Sequence, residues 1–193
     1  MAEAEVEAGA AAEPRHRPLP EQLRLKRTRS VSLVVAFLVF VFDQATKWVI
    51  TYPLQLQFRG TIEIFDFYDL HWVENNGVSL GLLSAEGPLG RWLLVAMTAA
   101  IALFVAVWLW REKRRDDSTA LAMILGGALG NILDRVRLGY VVDFSDLHFG
   151  EWRPFLVFNV GDAAITIGVL LLLVRALLMR ESKAETKEDQ SNA

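Results

Sequence analysis

The stretch Asn131-Ile132-Leu133-Asp134-Arg135-Val136-Arg137-Leu138-Gly139-Tyr140-Val141-Val142-Asp143-Phe144, resumed at Phe158-Asn159-Val160-Gly161-Asp162, lies between two long apolar runs. Each run is long enough to read as a membrane helix, so the polar stretch joins two spans at the edge of hydrocarbon. Ionisable groups are costly to keep there and by default mark function. Asp134, Arg135, Asp143 and Asp162 all fall within it.

Working outward, four spans emerge, at about 31–50, 92–110, 118–134 and 159–179. Twenty helical residues cross roughly 30 Å of hydrocarbon. The second span carries no charge and has Trp92 and Trp110 at its ends, where interfacial belts place tryptophan. The third carries Ala122, Gly126 and Gly130 at four-residue spacing, the small-xxx-small face of a tightly packed membrane helix. In the fourth, Arg175 is placed to snorkel towards a basic flank. The expected fold is an all-α polytopic membrane protein. A body over residues 30–180 is flanked by disordered tails at 1–29 and 181–193, which are too poor in large apolar groups to order themselves. The first apolar run is too long for a signal-peptide core and no small-residue cleavage site follows it, so it reads as a retained anchor.

Among 193 residues, 53% are hydrophobic and the formal net charge is −3, with the charges gathered in tails and loops. The absence of cysteine removes disulfides, thiolate nucleophiles and Cys-ligated metals. His16, His71 and His148 have no ligand spacing, so neither a metal nor any other cofactor is expected. No nucleic-acid partner is expected either. Residues 52–74 alternate loosely and are rich in aromatic and β-branched types, as in short strands at the membrane surface. The acids there, Glu63, Asp66, Asp69 and Glu74, read as a solvated face rather than a metal site. Asn75-Asn76-Gly77-Val78-Ser79-Leu80-Gly81 is a turn-rich segment suited to re-entering the membrane edge. Its G-x-S-x-G pattern lacks the strand-turn-helix, acid and histidine that a serine hydrolase needs. Residues 140–154 read as a non-helical loop.

Lysine and arginine cluster before the first span, at Arg111–Arg115 and after the fourth, whereas 52–91 holds only Arg59 and Arg91. The positive-inside rule therefore puts both termini in the cytoplasm. In that orientation Asp43, Lys47, Asn131, Asp134, Arg135, Asn159 and Asp162 lie at the outer ends of their spans, with Asn75 and Asp143 in outer loops. One depth favours one site, where a transmembrane relay would be spread across several. Asp43 and Lys47 stand four apart with the acid first, the order that suits an ion pair. Asn159 can cap the fourth span, with Asp162 in its first turn. Two nearby carboxylates share a proton, so one can serve as general base on water while the other hydrogen-bonds a scissile carbonyl. Asp143 and Asp162 are the candidates.

Five blocks then resemble the lipoprotein signal peptidases (signal peptidase II): Asp43-Gln44-Ala45-Thr46-Lys47, Asn75-Asn76-Gly77, Gly126 through Arg135, Val141-Val142-Asp143-Phe144, and Phe158 through Ile165. The likeness covers about residues 31–178. It implies an aspartic endopeptidase of the bacterial inner membrane, active on the extracytoplasmic side. That enzyme removes the signal peptide from diacylglyceryl-modified prolipoproteins, just before the lipidated cysteine. By resemblance Asp143 and Asp162 are the catalytic pair and Asn75, Asn131, Arg135 and Asn159 bind substrate. Asp43, Lys47 and Asp134 support them, and residues 52–74 form a small extracytoplasmic β-cradle beside periplasmic loops. The expected partners are lipid-modified prolipoproteins, membrane lipid and globomycin-type inhibitors, met by a monomer. The chain departs from the family pattern at Val78-Ser79-Leu80, where Ala-Ala-Phe is usual, and at Gly161, where Ala is usual. A small proton- or ion-coupled transporter and a non-catalytic assembly factor are the alternatives.

Overall fold

A computed structural model describes residues 20–77 and 88–191, with residues 180–191 described by their backbone alone. Four long helices, α1 (Glu21–Thr51), α3 (Pro88–Arg111), α4 (Arg115–Arg137) and α5 (Val160–Ser191), make a bundle. Each contains a stretch long and apolar enough to cross a membrane. At one end sit a one-turn helix α2 (Leu56–Arg59) and the strands β1 (Thr61–Phe65), β2 (Tyr68–Asn75) and β3 (Val141–Leu147). The strands form an antiparallel sheet in the order β1-β2-β3.

Outward-facing side chains such as Phe37, Leu38, Leu103, Phe104, Leu170 and Leu173 are left uncovered. Helices that are apolar all round, in a chain this short, have hydrocarbon as the solvent for those faces. α4 differs, because it packs against α1, α3 and α5 at once. Its glycines permit the approach: a Cβ on Gly126 would stand 2.5 Å from the Ala36 carbonyl oxygen, which no real contact tolerates. Around that crossing Ala36, Val105, Leu109, Leu121 and Leu125 form the apolar core. A second cluster, Ile50, Leu56, Val142 and Phe144, fastens the sheet to the end of α1.

Several boundaries differ from those read in the sequence. α1 begins at Glu21, so residues 21–29 are helical rather than part of a disordered tail. They hold Leu23, Arg24, Leu25, Lys26 and Arg27, good helix formers that continue a helix already nucleated in the apolar run. The α5 backbone likewise stays helical to Ser191, and the first 19 residues of the expected tail lie outside the described residues. The expected surface strands are present, but Leu56–Arg59 is a helical turn. The expected loop at 140–154 contains β3, whose Val141 and Val142 are fully buried. Asp69, read as part of a solvated face, is buried beside His148 at 3.1 Å. Of the segment Asn75–Gly81, read as re-entering the membrane edge, Asn75 is the last residue of β2, and residues 78–81 lie outside the described residues.

Candidate active site

The site lies where the C-terminal ends of α1 and α4 and the start of α5 meet the sheet, and each element presents its side chain for a local reason. β2 and β3 pair Val73 with Asp143, so Asn75, two residues along, falls on the same face as that acid. Its Nδ2 donates to Asp143 Oδ2 at 2.9 Å, while its Oδ1 accepts the Gly77 N–H at 2.9 Å and closes the turn. β3 is pinned on its other side by backbone bonds between Ser145 and Phe158. Asp143 is therefore held on a rigid strand, 1% exposed.

Asn159 stands immediately before α5 and caps it. Its Oδ1 accepts the Asp162 N–H at 2.9 Å, and Asp162 Oδ2 in turn accepts the Asn159 N–H at 3.3 Å. This is the reciprocal arrangement of a capping box, with aspartate in the place of glutamate. The same Asn159 donates from Nδ2 to Asp143 Oδ1 at 2.6 Å. One fully buried residue thus contacts both acids that the sequence singled out, its side-chain amide donating to Asp143 and its backbone N–H to Asp162, although they are 19 residues apart in the chain. Asn131 on α4 completes the link, donating to Asp162 Oδ1 at 2.8 Å and accepting from Asn159 Nδ2 at 3.2 Å.

Behind this layer is an ionic one. Lys47 Nζ lies 2.8 Å from both Asp43 Oδ2 and Asp134 Oδ2, and donates to Asn131 Oδ1 at 3.0 Å. The three charged residues are buried. Asp43 Oδ1 accepts the Gly161 N–H at 2.8 Å and Asp134 Oδ2 accepts the Val142 N–H at 3.3 Å. So α1 and α4 hold the start of α5 and the strand carrying Asp143. Arg135 points away from Asp134, as adjacent helical residues do, and its Nε is buried with no hydrogen-bond partner among the described residues. That leaves a donor in the field of Asp143 and Asp162.

Burial, then the charge of Asp162, pushes the Asp143 carboxyl up to about 6, against the opposing pull of the Asn75 and Asn159 amides. A carboxyl that titrates closer to neutrality is better suited to general acid–base work than an ordinary one.

All nine residues expected at the site lie in or against it. Three contributors were not anticipated. Gln44 donates to Asp134 Oδ1 at 3.0 Å and to the Gly130 carbonyl at 3.3 Å. Its place between Asp43 and Lys47 was the available signal. Arg91 holds the end of α4, donating from Nε to the Arg135 carbonyl at 2.8 Å and also reaching the Val136 carbonyl. As a lone cation opening a span, it was counted only for orientation. Gly130, read as a packing residue, also makes room for chemistry, since a Cβ there would overlap the Asp43 carboxylate.

The family model described as Signal peptidase (SPase) II matches residues 35–178, which hold every residue of this network. The chain belongs to the signal peptidase II family. It is 59% identical over 155 residues to the lipoprotein signal peptidase of Rhizorhabdus wittichii, covering 80% of this chain and 90% of that one. Against the lipoprotein signal peptidase of Sphingopyxis alaskensis it is 54% identical over 153 residues, 79% of this chain and 88% of that one. A solved bacterial membrane enzyme superposes with a TM-score of 0.67 at 30% identity, over 80% of this chain and 91% of that one. The chain is a multi-pass membrane peptidase with four spans and a small sheet. The transporter alternative finds no support in these relatives.

Proposed function

We propose that this peptidase acts on lipid-modified prolipoproteins by aspartic catalysis, with Asp143 and Asp162 as the catalytic pair. The observation that carries the reading is Asn159, which binds both acids at once and holds them in one hydrogen-bonded unit. Asp143, whose carboxyl is pushed up by burial, hydrogen-bonds the scissile carbonyl oxygen. Asp162, ionised, takes a proton from water as the water oxygen bonds to the carbonyl carbon, and Asp143 passes its proton to the carbonyl oxygen. As the resulting gem-diol collapses, one hydroxyl returns its proton to Asp143, the C–N bond breaks, and the leaving nitrogen takes the proton that Asp162 had accepted. Asn75, Asn131, Arg135 and Asn159 line the substrate backbone, Arg135 offering an Nε that has no hydrogen-bond partner among the described residues. Asp43, Lys47 and Asp134 hold the frame.

The catalytic body spans about residues 30–180 and works as a monomer with both termini cytoplasmic and the acids at the extracytoplasmic interface. Globomycin-type peptides inhibit it by occupying the same polar positions. The test is cleavage of a diacylglyceryl prolipoprotein in detergent by the native chain, Asp143→Asn and Asp162→Asn. Each substitution is expected to lower turnover by roughly 10²- to 10⁴-fold, and a metal chelator to leave the native rate unchanged. A folded variant that keeps near-native turnover removes that acid from the mechanism.

A further inference from the structure

At the opposite end of the bundle lies a second polar region that the peptidase reading leaves unused. A cleft of about 930 Å³ opens between the start of α1, the α3–α4 loop and α5. Six cations line it, Arg24, Arg27, Lys113, Arg114, Arg115 and Arg175, against the carboxylates of Glu21 and Asp116. Arg175 is committed to Asp117 at 2.9 Å and Asp116 at 3.2 Å, and Lys113 lies 3.6 Å from Glu21. Among the described residues no carboxylate comes within 4.0 Å of Arg24, Arg27 or Arg115. The loop presenting these charges is held in shape by Glu112, whose carboxylate accepts the N–H groups of Lys113 and Arg114, each at 2.9 Å. α4 begins in the cleft with no side-chain cap at Arg114, so the positive end of its dipole adds to the field.

Two further observations say what kind of anion fits. Arg29 stacks over Trp110 at 4.5 Å and donates to its carbonyl at 2.9 Å, and an arginine–tryptophan pair at a helix end marks headgroup depth. The cleft also adjoins an apolar groove of about 350 Å³ along α4 and α5, lined by Ala120, Leu171, Val174 and Leu178. Asp116 and Arg175 belong to both cavities. A charged chamber at headgroup depth that runs into a hydrocarbon-lined trough matches a phospholipid, head and chain together. We propose that this end of the protein is a binding site for an anionic glycerophospholipid, its phosphate against Arg24, Arg27 and Arg115 and one acyl chain in the α4–α5 groove.

The test is native mass spectrometry of the full chain in neutral detergent, titrated with dioleoylphosphatidylglycerol or dioleoylphosphatidylcholine, with inorganic phosphate and glycerol phosphate as competitors. The native protein is expected to favour phosphatidylglycerol by on the order of tenfold or more, and Arg24→Gln/Arg27→Gln/Arg115→Gln to lose that preference while still cleaving prolipoprotein. If the triple variant fails to fold, Arg24→Gln alone, on the exposed start of α1, is expected to lower the preference about threefold. Equal binding of the two lipids, or an unchanged preference in the variants, overturns the site. Displacement by inorganic phosphate or glycerol phosphate at matching concentration overturns the lipid assignment in favour of a free anion.

Discussion

Lys47 is the residue on which the ionic layer depends, since among the described residues it alone forms ion pairs with the buried Asp43 and Asp134. Lys47→Met leaves two buried carboxylates without a cation, an arrangement that costs about 3–5 kcal/mol. Thermal unfolding in detergent is expected to show a clear drop, partly restored by adding Asp43→Asn. The raised Asp143 value gives a second prediction. A shared proton is needed for activity, so kcat/KM is expected to be bell-shaped in pH, its alkaline limb set by the pair with a midpoint near 6. Asn75 donates to the ionised form of Asp143, so Asn75→Leu removes a group that holds the value down, and the limb moves to higher pH. A limb that stays in place while the rate falls would limit Asn75 to binding. The same group acts on stability with a definite sign. The folded state binds this proton more tightly than the unfolded chain, whose carboxyl titrates near 3.8. The contribution of Asp143 is therefore fully present below that pH and is lost as pH rises through about 6.

α4 is the element that turns four spans into one body, and its glycines do two different tasks. Gly126 lets α1 come close, while Gly130 leaves space for the Asp43 carboxylate. Gly130→Ala is therefore expected to cost roughly 1–3 kcal/mol and to disturb turnover as well, because the displaced group also holds the Gly161 amide. Comparing melting temperature with turnover for Gly126→Ala and Gly130→Ala checks this, since only the second variant should lose activity beyond its loss of stability. The spacing of Ala122, Gly126 and Gly130 made α4 recognisable as a packing helix before any coordinates. What stayed hidden was that one of these glycines faces a carboxylate, because periodicity gives the face and not its neighbour. β3 escaped for a related reason. Seven residues with a single β-branched pair carry a weak strand signal, and it is the pairing with β2 and Phe158 that makes them a strand.

For the molecule as a whole, hydropathy made the spans legible, since a bilayer leaves a backbone few alternatives. Charge in short loops then grouped the polar residues at one end. The contact between Asp143 and Asn159 was not readable from spacing, because it depends on how α5 approaches the sheet. Orientation can be tested directly in a chain with no native cysteine. With a membrane-impermeant maleimide, Asp66→Cys is expected to label in intact cells, and Arg111→Cys only after permeabilisation. The reverse pattern would invert the protein and move the acids to the cytoplasmic side. The capping box at the start of α5 has a wider consequence. The side chain assigned to activate water is also the peg that keeps the last helix wound at its first turn. A lineage cannot retire that acid and keep the scaffold untouched for another purpose, so a decayed copy of this enzyme should betray itself by a frayed helix as well as by silence.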